Sequence, residues 1–270
     1  MGKLTNKTAL ITGGARGIGR AYAHRLAELG ANVGIIDLDL QSFKQFDAEA
    51  KAMTANSIIE ELQCKGTHSA GAEADVTDFD QVSEAVSKIA SELGDIDILV
   101  ANAGGGAGGL GDSIASSMNL EMFKQVVERN LYGTVNSVTA VVPMMKKNRY
   151  GKIVTVSSQA GIQATPDGSY AHYGSAKAGI IMYTKYLAQD LGQFGINVNC
   201  IAPGYIGTGR LMGDFERMGI ANIIKNIALK RIGTPEDCAN AIEFLTTNLS
   251  DYVTGTVLDV GGGCIRGGNI

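Results

Sequence analysis

The sequence predicts an α/β fold, a doubly wound parallel sheet forming a single domain of three layers with helices on both faces. Three observations lead there. Short β-branched runs recur along the chain, amphipathic segments of helical length lie between them, and no shift in composition divides the 270 residues. Apolar runs without polar alternation suit strands buried on both faces. Alternating strands and helices give parallel strands joined by right-handed crossovers. A hydrophobic fraction of 45% with 19% charged residues and no low-complexity tract can bury the core such a fold needs.

The elements follow in order. A strand is expected at Thr8 to Thr12 (TALIT), then a helix over Gly17 to Leu29 and a second strand at Asn32 to Asp37 (NVGIID). A helix over Phe79 to Leu93 leads to the strand Ile96 to Gly104, and a long helix over Leu120 to Lys146 leads to the strand Gly151 to Ser158. A helix over Tyr170 to Leu191 precedes the strand Ile196 to Gly204, and the last strand spans Thr256 to Gly262. Thr234 to Asp237 (TPED) reads as a helix start, with Thr as cap, Pro in the first turn and acids at the positive end of the dipole.

A net charge of −4 and a pI near 5.4 offer no basic field for nucleic acid or anionic lipid. The run after Met1 is too short for a signal sequence, and no apolar stretch approaches the roughly 20 residues of a membrane helix. The expected setting is cytoplasmic. Four scattered cysteines (Cys64, Cys200, Cys238, Cys264) read as structural thiols, and no ligand pairs imply a metal.

Ligands of doubly wound sheets bind beyond the carboxyl ends of the strands. The first strand ends in TGGARGIG, placing Gly13, Gly17 and Gly19 where a tight turn and a helix N-terminus can accept a pyrophosphate. Asp37 closes the second strand about twenty residues on, where an acid holds a ribose 2′-hydroxyl. A carboxylate repels a 2′-phosphate, whereas Arg16 could reach one; beside Asp37 that phosphate is disfavoured, so NAD is expected over NADP. A P-loop is excluded because Arg20 and Ala21 follow Gly19.

With Asp75 and Val76 (ADV), Asn102 to Gly104 (NAG), Asn130 (RNLYGT), Ser158 (VSSQAG), Tyr173 to Lys177 (YGSAK) and Pro203 to Thr208 (PGYIGT), these motifs occur in the order of the short-chain dehydrogenase/reductase family. The chain resembles that family over nearly its whole length. The resemblance implies a Rossmann-like fold, metal-free hydride transfer between a nicotinamide and a carbinol or carbonyl carbon, and a catalytic set of Asn130, Ser158, Tyr173 and Lys177. It implies cofactor contacts at Gly13, Arg16, Gly17, Ile18, Gly19, Asp37 and Leu38, with Asp75 and Val76 at the adenine. Asn102, Ala103 and Gly104 would lie along the adenosine ribose. Pro203, Gly204, Ile206 and Thr208 would lie at the nicotinamide end beside Tyr173 and Lys177. Relatives are commonly tetramers joined through the helices here at Leu120 to Lys146 and Tyr170 to Leu191, so a homo-oligomer, a tetramer or dimer, is expected.

Physical chemistry supports that set. Tyrosine, with an ordinary pKa near 10, needs a neighbouring cation to act as a base near neutrality, and Lys177 lies one helical turn from Tyr173. Ser158 would bond the same substrate oxygen. His172 should face away from Lys177, about 140° around the helix, and Tyr170 should sit roughly 10 Å along its axis, as a pocket or packing residue. A Ser-His-Asp hydrolase built on Ser158 and His172 lacks the G-x-S-x-G elbow.

Several features depart from the family pattern. The chain between Asp37 and Asp75 is longer than usual, and its extra Leu38 to Asn56 reads either as a surface insertion or as a flap over the adenosine end or a subunit contact. Gly104 to Gly111 is glycine-rich and expected to be mobile, and Gly261 stands where many relatives carry an acid. The segment 207–226 reads equally as a substrate lid or an ordinary amphipathic helix. Substrate contacts are expected from Ser158, Gln159, Gln163, Tyr205, Leu211 and Met212, with Ile162 a further candidate, around a small neutral alcohol or ketone. The alternatives are an NADPH-dependent 3-oxoacyl-thioester reductase, favoured by Arg16, and a catalytically silent dinucleotide-binding regulator.

Overall fold

Residues 2–108 and 110–265 are described here from a computed structural model. The domain expected over 1–270 therefore includes residues outside that description, among them Gly109 of the glycine-rich run. Among the described residues the sheet has seven parallel strands in the order β3-β2-β1-β4-β5-β6-β7. They are β1 (Thr8–Thr12), β2 (Asn32–Asp37), β3 (Ser69–Glu73), β4 (Ile98–Ala101), β5 (Gly151–Val156), β6 (Ile196–Pro203) and β7 (Val257–Val260). The order reverses between β1 and β4, which opens a crevice at their carboxyl ends.

One face of the sheet is covered by α1 (Gly17–Glu28) and α10 (Pro235–Thr246), packed together through Tyr22, Leu26, Cys238 and Ile242, with α3 (Ile58–Cys64) beside them. The other carries α4 (Phe79–Leu93), α6 (Gly133–Asn148) and α7 (Ala171–Leu191), whose Val82, Ile89, Val141, Met145 and Leu191 enclose Leu10, Leu99 and Ile153. The six expected strands are present. The seventh, β3 (SAGAE), carries no β-branched residue and forms by pairing with β2, where its small side chains fit beneath Ile59 and Leu40. The long helix expected over Leu120 to Lys146 is interrupted: α5 (Leu120–Val127) passes through a π-turn at Glu128–Tyr132 into α6. The helix start at Thr234 forms a capping box, the Thr234 hydroxyl accepting from Asp237 N–H and Asp237 from Thr234 N–H.

The extra segment after Asp37 folds as a 3-10 turn (Ser42–Gln45) and the short α2 (Asp47–Ala52), with Phe43 buried. Glu61 of α3, fully buried, ties it to α1: its carboxylate accepts from Arg20 Nε (2.8 Å) and Nη2 (2.7 Å) and from Thr54 N–H (2.6 Å). Burial opposes this charge, but those donors win and hold the Glu61 carboxyl at about 2, below its ordinary 4.5. Its contribution is complete above pH 4.5 and is lost as pH falls toward 2. Glu61→Gln should lower the unfolding free energy at pH 7 by on the order of 3 kcal/mol and flatten the acid limb of stability between those pH values, read by urea unfolding across pH.

Candidate active site

The crevice is a cavity of about 710 Å³ along the carboxyl ends of β1, β2, β4, β5 and β6. At one end Gly13 turns with φ +67°, and a Cβ on Gly19 would collide with the Gly13 carbonyl, so α1 can start close against the strand. Asn102 fastens this loop to β4, its amide donating to Thr12 O (3.1 Å) and Gly13 O (2.9 Å). Gly13, Arg16, Gly17, Ile18, Gly19, Asp37, Leu38, Asp75, Val76, Asn102, Ala103 and Gly104 all line the cavity. Asp37 accepts from Ala15 N–H (3.0 Å) with one oxygen. Its burial pushes the carboxyl up, opposed by the Ala15 and Asp39 amides and by Arg16. A narrow glycine turn on a helix N-terminus at one end and a carboxylate at the second strand's tip fit a dinucleotide.

The opposite end holds the expected catalytic residues. Ser158 follows β5, Tyr173 and Lys177 project from the first turns of α7, and all three line the cavity with Pro203, Gly204, Ile206 and Thr208. Lys177 is buried, its ammonium donating to Val156 O (2.8 Å) and lying 5.5 Å from the centre of the Tyr173 ring. Burial lowers its pKa to about 8, with Cys200 acting weakly the other way. Asn130 sits in the π-turn, fully buried. Its Oδ1 accepts from Gly105 N–H (3.0 Å) and its Nδ2 donates to Gly105 O (2.9 Å) and Val126 O (2.8 Å). The glycine-rich run expected to be mobile is thus gripped at Gly105. It is gripped again at Ala107, whose carbonyl lies 2.9 Å from His172 Nε2. Because His172 Nδ1 accepts from Tyr173 N–H, Nε2 carries the proton that Ala107 receives. His172 therefore faces away from the cavity, as its helical position predicts, and acts as a brace.

Four expected substrate residues lie elsewhere. Gln159 is fully buried behind Ser158, its Nε2 donating to both oxygens of Asp259 (3.0 and 3.2 Å), because a 3-10 turn (Gln159–Gly161) swings it toward β7. That placement explains Gly261: any Cβ there would strike the Gln159 amide. Gln163 is half-buried outside the cavity lining. Tyr205 packs edge-on to Phe215 (5.6 Å), and Met212 joins the same small apolar cluster under α8 (Gly209–Met218) and α9 (Ile220–Ile224). Leu211 does reach the cavity, with Arg210. Tyr170, expected as a pocket or packing residue, reaches it too. It stands just before α7 in a left-handed conformation (φ 63°), which folds its ring to 4.9 Å from that of Tyr173 and against Gly106 instead of a helical turn away.

A family model described as enoyl-(acyl carrier protein) reductase matches residues 13–264. The chain belongs to the short-chain dehydrogenase/reductase family and is an oxidoreductase of the alcohol–carbonyl couple. It is 51% identical to the cyclohexanol dehydrogenase of Rhodococcus sp. (strain TK6), over 96% of each chain. It is 39% identical to the 3-oxoacyl-[acyl-carrier-protein] reductase FabG of Chlamydia muridarum, over 96% of this chain and 98% of the relative. Among solved structures, a 3-oxoacyl-[acyl-carrier protein] reductase with bound NAD from Brucella melitensis superposes with a TM-score of 0.82 at 34% identity, covering 97% of this chain and 94% of that one.

A buried ammonium with a depressed pKa weakens the fold wherever it is charged, that is, fully below pH 8 and progressively less up to the ordinary 10.5. Lys177→Met should therefore melt no lower than the parent at pH 7 by calorimetry while losing roughly 10²-fold or more in turnover.

Proposed function

We propose that the chain is an NAD-dependent dehydrogenase of cyclic or otherwise apolar secondary alcohols, acting in reverse as a ketone reductase, with Tyr173 as general acid/base. The observation that carries this is the grouping of Ser158, Tyr173 and buried Lys177 at one end of a cavity whose other end closes on Asp37. The nicotinamide supplies a hydride acceptor and, when oxidised, a second positive charge. Tyr173 Oη takes the alcohol proton, helped by the Lys177 ammonium, and returns it to the ketone oxygen in reduction. Ser158 Oγ donates to the same oxygen and orients it. Asn130 positions by holding Gly105 at the cavity wall. Leu211 and Tyr170, with the side-chain-free Gly104 to Gly106, leave space for a ring beside Arg210, whose Nη2 donates to Gly106 O (3.4 Å), and exclude water from the transfer. The helix carrying Leu211, within 207–226, serves as the substrate lid.

The relative named cyclohexanol dehydrogenase supports a cyclic secondary alcohol over a thioester, and Asp37 supports NAD over NADP. The apolar side chains exposed on α5, the π-turn and α7, namely Leu120, Tyr132, Met182 and Tyr186, support a homo-oligomer. No helix among the described residues is long and apolar enough to cross a membrane, in keeping with a cytoplasmic enzyme.

Tyr173→Phe should bind NADH as the parent does, by fluorescence titration, yet turn over cyclohexanol roughly 10³-fold more slowly. Unchanged turnover would sink the assignment. Faster turnover of a 3-oxoacyl thioester with NADPH than of any cyclic ketone with NADH would favour the thioester reductase. His172→Ala should keep the parent's kcat pH profile and raise KM, since it frees Ala107 without removing a proton carrier.

A further inference from the structure

The mechanism leaves unused the segment Leu38 to Asn56 and the arginine it surrounds. Ser42 and Gln45 of this segment line the adenosine end of the cavity together with Asp37 and Asp39, so the segment is part of the site's wall. The Ser42 hydroxyl is buried there without a hydrogen-bond partner. Four residues after Gln45, the first helix of the segment turns Glu49 inward. Its side chain is only 10% exposed and both carboxylate oxygens are buried without a hydrogen bond. The nearest cation is Arg16, at 3.7 Å from its Nη1. Arg16 also lies over the Phe46 ring, 4.8 Å from its centre, and is drawn electrostatically to Asp37.

A buried carboxylate lacking other donors depends on its counter-ion. Arg16 is therefore committed twice, to Glu49 and to the face of Phe46, and it is shared between two carboxylates. If the guanidinium swung toward a 2′-phosphate, Glu49 would be left buried and uncompensated. The charge at this end of the cavity would remain negative in any case, with Arg16 against Glu49, Asp37 and Asp39. Arg16 could pair with a 2′-phosphate only if that hold were released.

We propose that the insertion is a cofactor-discriminating element: Glu49 and Phe46 withhold Arg16 from the 2′-position, so that the site accepts a dinucleotide with a free 2′-hydroxyl and rejects its 2′-phosphate. This rests on the reading that the cavity takes NAD with its adenosine at Asp37. It adds a second determinant, on a different element, to the carboxylate that ends β2.

The test is a pair of fluorescence titrations, NADH and NADPH, on the purified protein without substrate. Glu49→Gln, close to isosteric, and Phe46→Leu each loosen Arg16. Each should tighten NADPH by about tenfold while changing NADH little, and adding Arg16→Ala to Glu49→Gln should remove the gain. An unchanged NADPH to NADH ratio in both single variants overturns the inference, as does a gain that survives removal of Arg16. A parent protein that binds NADPH more tightly than NADH would instead overturn the NAD reading itself, so the two failures are separable.

Discussion

Every strand of the sheet runs the same way, and the site depends on that constraint. Parallel pairing places the carboxyl ends of β1, β2, β4, β5 and β6 along one edge, where each strand delivers a different function within a single crevice. β1 presents the glycine turn, β2 Asp37, β4 the Asn102 that fastens the turn, β5 Ser158 and β6 the segment Pro203 to Thr208. Burial on both faces then holds the strands rigid. Ile11, Val100, Val154 and Ile201 are sealed beneath α1 and α10, while Leu10, Leu99 and Ile153 are sealed beneath α4, α6 and α7. The crevice is therefore preorganised, and its chemistry follows from short segments that the sheet only has to hold at fixed spacing.

The same framework bears an internal cost. Lys177 is a cation in the interior that donates to the Val156 carbonyl and, among the described residues, has no carboxylate partner at hydrogen-bond distance, and burial lowers its pKa. Asn130 spends its amide on loop backbone from within a π-turn, a helical irregularity that occurs mostly at functional sites. Tyr170 occupies a left-handed backbone conformation that a tyrosine rarely adopts. Lys177 and Tyr170 line the same end of the cavity, and Asn130 reaches it through Gly105. Departures from the best-folding choice that meet at one place are expected where a site's chemistry requires them.

Much of the fold was legible because it rests on repeated, redundant signals. The strands at Thr8 to Thr12 and Asn32 to Asp37 are set by apolar runs and the helix at Phe79 to Leu93 by its amphipathic periodicity, each reinforced by tertiary packing. β3 was not legible, since SAGAE carries no strand propensity and exists through its pairing with β2. In the site, Tyr173 and Lys177 were legible through the resemblance to the family, and their spacing of one helical turn agrees with their places on α7. Gln159 was not: adjacency to Ser158 suggested the cavity, but a three-residue 3-10 turn sends its amide to Asp259, a partner 100 residues away in sequence. Tyr170 was legible as a pocket or packing residue, but the left-handed backbone just before α7 that sets its ring against Tyr173 was not. Side-chain direction at the end of an element is set by one or two backbone dihedrals, and those depend on what the neighbouring loops require.

Two segments flank the sheet framework at the rim of the cavity. α8 and α9 have their own small core, in which Phe215, Ile223, Ile227 and Cys264 pack with Tyr205 and Met212, apart from the two clusters that sandwich the sheet. The insertion is likewise secured from outside the sheet, by Phe43 and by the Glu61 network that spans Arg20 and Thr54. The two meet over the glycine turn, where Glu49 lies against Gly209 at the start of α8 and faces Gly17 at the start of α1. Ser42 and Gln45 of the insertion and Arg210 and Leu211 of α8 all line the cavity, so this contact lies at its wall. α8 and α9 rest on an apolar cluster of their own, whereas Leu40 of the insertion packs against the cluster beneath α1.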